Sequence, residues 1–139
     1  MKELRIIVAG SRDFQNYTLL SSILRRILAY LKNNNVFTDK NQVEFVSGTA
    51  RGADQLGEQF AKQFGYDAKR FPADWTLGKR AGYIRNEQMA KYAVAEGSKG
   101  LLVAFWDGES KGTKHMIDLA RKHGLAVRVV KYKEIDGVR

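Results

Sequence analysis

The chain has 139 residues, 44% of them hydrophobic, with a single proline and no cysteine. That length and composition suit one folded domain over residues 1–139 rather than a disordered tail. The lack of cysteine excludes disulfides, thiolate metal sites and cysteine nucleophiles. A net charge of +9 is compatible with a nucleic acid, an anionic small ligand or a merely solvated surface. Basic pairs such as Arg25-Arg26, Lys79-Arg80 and Arg121-Lys122 are scattered, with no dense run interleaved with aromatics, so nucleic acid ranks last. No apolar run reaches signal-peptide or membrane-span length, so a cytoplasmic protein without a membrane partner is expected.

Taken in order, residues 4–9 (Leu-Arg-Ile-Ile-Val-Ala) form a near-continuous apolar run that suits a central parallel strand. Asn16 or Thr18 would cap the next helix, whose stripe is Leu20, Ile23, Leu24, Ile27, Leu28 and Leu31. Asn33-Asn34-Asn35 ends it, and a polar stretch leads to a second strand over 43–46. From Ala53 the positions Leu56, Gly57, Phe60, Ala61 and Phe64 continue a helical stripe that Gly65 closes in a left-handed cap. A weaker strand over 67–71 stops at Pro72, and a helix follows from about residue 80 to 96. Residues 101–105 make a clear fourth strand, Thr113, Met116, Ile117 and Ala120 mark a helix, and 126–130 is the last strand. The remaining residues read as a polar tail or short turn. Strands alternating with helices predict a Rossmann-like, doubly wound, mostly parallel five-stranded sheet with helices on both faces. Ligands bind such sheets beyond the carboxyl ends of the strands.

Four loops should converge there: Gly10-Ser11-Arg12-Asp13-Phe14, residues 47–54, residues 72–86 and residues 106–113. The second, Ser47-Gly48-Thr49-Ala50-Arg51-Gly52, joins a strand to a helix N-terminus. Free amides under positive helix potential make it a candidate phosphate or carboxylate cradle. Arg12 and Arg51 would clamp the anion. Asp54, in the first helical turn, either complements the helix dipole or works on the ligand, by bonding ribose hydroxyls or as a general base. Trp75 and Trp106 are candidates for base stacking or for packing. Asp74, Arg85, Asn86, Asp107, Gly112 and Thr113 complete the candidate rim; Thr113 would donate to a phosphate or cap its helix. His115 reads as an exposed helix residue and Met116 as core. No dinucleotide fingerprint, P-loop, nucleophile elbow or zinc set is present, so no metal site and no established cofactor are expected.

Five co-linear stretches together resemble the YspA-type, YpsA-related branch of the SLOG superfamily. They are the 10–14 loop, residues 47–54, Phe71-Pro72-Ala73-Asp74-Trp75, Ala81-Gly82 with Arg85-Asn86 and Met89, and Gly112-Thr113 with Met116. The resemblance implies a Rossmann-like fold and a site for a nucleotide or nucleotide derivative such as ADP-ribose, NAD or a nucleoside phosphate. It also brings a homodimer or higher homo-oligomer into view, because SLOG proteins are often dimers. The superfamily includes LOG-type phosphoribohydrolases and the DNA-processing DprA proteins, which keeps a nucleotide N-glycosidase and single-strand binding as alternatives. One departure matters. LOG-type enzymes follow Gly-Gly-x-Gly-Thr with a glutamate used in cleavage, and here Met116 stands at the matching position. A thioether neither takes nor gives a proton, so only Asp54 or Asp107 could serve such an enzyme.

Overall fold

Residue 5 is charged, yet the run around it still builds the central strand. In the computed structural model, which describes residues 2–135, β1 (Leu4–Gly10) lies between β2 (Val43–Ser47) and β4 (Lys99–Phe105). With β3 (Asp67–Arg70) and β5 (Ala126–Val130) at the edges, the sheet has the order β3-β2-β1-β4-β5, and every pairing is parallel. The chain steps outward from β1 to β3, then returns to start β4 on the other side of β1. The order therefore reverses between β1 and β4, which opens a crevice at their carboxyl ends.

The pleat sends alternate residues of β1 to opposite faces. Leu4, Ile6 and Val8 pack with Phe45, Val103 and Phe105 against helices α1 (Tyr17–Asn33) and α2 (Ala53–Phe64). Ile7 and Ala9 pack with Val46, Leu102 and Ala104 against α3 (Ala81–Ala93) and α4 (Lys111–Lys122). Burial of each large apolar side chain contributes roughly 1.5–3 kcal/mol, so both layers hold β1 and the loop that follows it in place. At the exposed edge, β3 has no buried residue, which explains its weak sequence signal.

The caps follow local chemistry. Asn16, not Thr18, caps α1 by accepting the Leu19 amide at 3.0 Å. Gly65 ends α2 at φ 77°. Two elements depart from expectation. The polar stretch before β2 carries a 3-10 turn at Lys40–Gln42, closed by a reciprocal Asp39–Gln42 cap. The loop before α3 is a kinked 3-10 segment, Trp75–Arg80, so α3 itself starts at Ala81; it also ends at Ala93, short of the expected residue 96. After β5, a single helical turn, α5 (Tyr132–Ile135), lays Tyr132 in the core with its hydroxyl on Asp13 at 2.7 Å.

Candidate functional site

Two loops are sewn together at the switch point. The buried Ser11 hydroxyl accepts the Asp107 amide at 3.1 Å, which ties the loop after β1 to the loop after β4. Asp107 then accepts the amides of Glu109 and Ser110, each at 2.8 Å. Burial pushes its carboxyl up, but those two amides, the Ser11 hydroxyl and Lys133 together hold it below the usual carboxylate range. Asp107 thus organises the loop and does not line the crevice.

The loop after β2 approaches the same place. Gly52 adopts φ 90°, and a Cβ there would lie 2.5 Å from the Ser11 carbonyl oxygen, so only glycine allows the two loops this close. Thr49 holds φ 68°, a left-handed conformation that a β-branched residue rarely adopts. Its amide donates to the Ser47 hydroxyl at 3.0 Å, and the Ala50 amide donates to Asp54 at 3.2 Å. Two amides of the expected cradle are therefore satisfied by the chain's own side chains. The same holds at α4, where Ser110 rather than Thr113 is the cap and takes the Thr113 amide at 3.3 Å. Short polar side chains adjacent in sequence win these donors because they are already in place.

What remains at the rim is charge. A cavity of about 310 Å³ opens beyond β1 and β4, and the cations Arg12, Lys79 and Arg85 line it. Asp54 lines it too and is 5% exposed; its carboxyl is the sole one among the described lining residues. Burial raises the Asp54 pKa to about 7, against the opposing pull of Arg85, the Ala50 amide and Arg12. Burial likewise lowers the Arg85 pKa, with Asp54 opposing and Arg12 adding repulsion. Arg85 donates to the Gly48 carbonyl and, at 3.1 Å, to Asn86. Gly48 lies against both members of this pair: a Cβ there would meet Asp54 Oδ2 at 2.8 Å and Arg85 Nη1 at 2.9 Å. Beside this cavity is a second of about 390 Å³, lined by Thr49, Arg51 and Ala73 among others.

The remaining expected residues divide. Gly10, Asn86, Gly112 and Thr113 line the first cavity; Gly48 lines the second; Trp75 lines both and is 60% exposed. Ser47, buried at the end of β2, spends its hydroxyl on Glu58 at 2.5 Å, and Gly52 packs against the Ser11 and Arg12 carbonyls. Asp74 caps the 3-10 segment through the Thr76 amide at 3.1 Å. Trp106 packs against the core and donates its indole N–H to the Ser110 carbonyl at 3.1 Å, so Trp75 alone of the two tryptophans faces the crevice.

His115 corrects the expectation of an exposed residue. It is half-buried, its ring lies 4.3 Å from that of Tyr83, and its Nδ1 faces the Asn86 amide nitrogen at 3.2 Å. Burial lowers its pKa, against the opposing pull of Asp118 and Glu87. Met116 is buried as expected, and its side chain also lines the cavity.

Sequence reasoning brought the loops 72–86 and 106–113 to the rim but did not single out Lys79, Tyr83 and Ser110 within them. Signals for two of them existed. Tyr83 and Asn86 are three apart on α3 and share a face, and Ser110 stands three residues before Thr113 at a helix start. Lys79 follows the kink at Gly78, φ 75°, which no local pattern announces.

Comparison with known proteins finds a match over the first half of the chain. A family profile described as the YspA, cpYpsA-related SLOG family matches residues 4–78, just over half of the chain. The match takes in β1, the loops 10–14 and 47–54, and the turn through Trp75; the stretches around Arg85 and Thr113 lie beyond it. Neither the search of curated proteins nor that of solved structures finds a match. On the profile match, the chain belongs to the YspA, cpYpsA-related SLOG family.

Proposed function

We propose that the chain binds a nucleotide or nucleotide-derived phosphorylated ligand, of the class of ADP-ribose, NAD or a nucleoside phosphate, and serves as a ligand-sensing domain. The ligand lies in the crevice beyond the carboxyl ends of β1, β2 and β4. The observation that carries this reading is the convergence of Arg12, Lys79 and Arg85 on one cavity that holds a single described carboxylate, itself shifted toward the neutral form. Among the described residues none of the three cations forms an ion pair. A phosphate would supply the missing charge and accept the forked donors of the guanidinium groups. Trp75 offers an exposed ring for a base at the same mouth. Membership of the SLOG family supports a nucleotide-related ligand at the same coarse level.

A thermal-shift panel of nucleoside phosphates, NAD and ADP-ribose tests the reading. A ligand at about 100 times its Kd adds roughly 2.7 kcal/mol, or on the order of 5–10 °C in Tm for a domain of this size. Arg12→Ala should weaken the binding about 10- to 100-fold, as the loss of a charged hydrogen bond does. A flat panel would remove the proposal.

Asp54 favours a second reading. A buried carboxyl with a pKa of about 7 beside a cationic cavity can give or take a proton near neutral pH. It could therefore act as the acid/base of a nucleotide N-glycosidase, in place of the glutamate that Met116 displaces. Release of free base from nucleotides, abolished in Asp54→Asn, would support this; no release at high protein concentration would discard it.

A further inference from the structure

The two cavities share a wall. Arg12, Ala50, Trp75 and Arg85 line both, so two arginines and an exposed tryptophan stand where the cavities meet. Arg85 is fixed in that wall by its bonds to the Gly48 carbonyl and to Asn86. Arg12 is close enough to depress the Arg85 pKa by repulsion. Two like charges held together in this way are stabilised by an anion that spans them.

The chambers on either side differ. The inner one, about 310 Å³, counts the buried Ala9, Met89 and Met116 among its lining residues, with Asn86, Asp54 and Thr113 among the polar ones. That combination suits a flat ring with hydrogen-bonding edges. The outer one, about 390 Å³, is edged by Thr49, Arg51 and Ala73 and has no such buried apolar side chain, which suits a hydroxylated, polar moiety. Each chamber is near the lower size limit of a small-molecule site. A mononucleotide would occupy one and leave the other to water.

Resting on the ligand-binding reading above, we propose that the ligand is a two-part molecule: two organic moieties joined by a pyrophosphate that lies across Arg12 and Arg85, one moiety in each chamber. Two adjacent phosphoryl charges match two adjacent arginines, each of which lines both cavities. The second moiety gains affinity because the first holds it at high effective concentration.

Isothermal titration of the full chain with ADP-ribose, AMP and ribose 5-phosphate tests this, on wild type and on Ala73→Trp, which adds bulk to the outer chamber at a residue that does not line the inner one. Wild type should bind ADP-ribose about 100-fold more tightly than the better of the two halves. In Ala73→Trp, with the melting curve confirming the fold, that advantage should fall below about threefold. Equal affinity for ADP-ribose and one half in wild type would overturn the two-part ligand and leave a mononucleotide site. An advantage untouched by Ala73→Trp would also overturn it, because the second moiety would not lie in the outer chamber. No binding of any of the three compounds would overturn both this inference and the proposed function. The wild-type comparison alone suffices should the variant fail to fold.

Discussion

Two arginine–carboxylate centres stand at opposite ends of the same strands, and they differ in how well they are closed. At the amino end, Arg5 bonds Glu44 at 3.3 Å, Glu96 at 3.0 Å, and the carbonyls of Tyr92 and Ala95 at 3.0 Å each, while its guanidinium lies 4.1 Å above the Tyr92 ring. Burial works to lower its pKa, yet Glu96, Tyr92 and Glu44 more than offset this and raise it. At the carboxyl end the outcome reverses. Arg85 finds a carbonyl and an amide oxygen, Asp54 finds one backbone amide, and burial prevails on both: the Arg85 pKa falls and the Asp54 pKa rises. A buried charge with a complete set of partners is part of the scaffold. One that is left short of partners, in a cavity at a switch point, is where the proposed ligand would complete the set.

The largest effect should come from breaking the closed centre. Arg5→Ala leaves the Glu44 carboxylate with the Tyr92 hydroxyl at 2.5 Å and no cation, and removal of one partner of a buried pair costs about 3 kcal/mol or more. A fall in Tm of roughly 10 °C is expected in calorimetry, with ligand affinity unchanged in the protein that remains folded. A loss of less than about 1 kcal/mol would mean that the network is not the scaffold we describe.

The open centre should respond with the opposite sign. Asp54 has a folded pKa of about 7 against about 3.9 unfolded. From about pH 4 to 7 the folded state therefore holds a proton that the unfolded state has lost. Stability from this group is full below the unfolded pKa and declines as pH rises toward the folded one. Asp54→Asn should flatten that decline and be the more stable protein at pH 8, as read by urea denaturation across pH. Affinity for a phosphate compound should likewise weaken in wild type above pH 7, where Asp54 ionises beside it, and not in Asp54→Asn. A wild-type stability that rises from pH 5 to 8 along with that of the variant would contradict the assignment.

The smallest effect concerns backbone strain. Thr49 at φ 68° should cost about 1 kcal/mol relative to glycine. Thr49→Gly is expected to stabilise the protein by up to that amount while loosening the outer chamber. A destabilising Thr49→Gly would show that the turn gains more from the threonine side chain than it loses in strain.

The contrast also marks how far the residues alone could be read. Hydrophobic periodicity sufficed for the parallel α/β fold, for the five strands and for the convergence of their loops, because alternation and helical spacing are local properties that burial enforces everywhere along a strand or helix. The Gly65 cap was legible because it too is local, whereas the cap of α1 was narrowed only to Asn16 or Thr18. The family, too, was recognisable from linear motifs. Tertiary structure decided the rest. Whether the Ser47–Ala53 amides face a ligand depended on Ser47 and Asp54 turning back onto them, and whether Asp107 or Asp54 holds a shifted proton depended on which one was buried. Trp75 and Trp106 read alike until packing took one and left the other at the crevice. Arg5 passed for one polar interruption in an apolar run, because its partners lie 39 to 91 residues away. Charge, solvation and hydrogen-bond competition depend on distance in space, and that is the quantity a linear pattern does not carry.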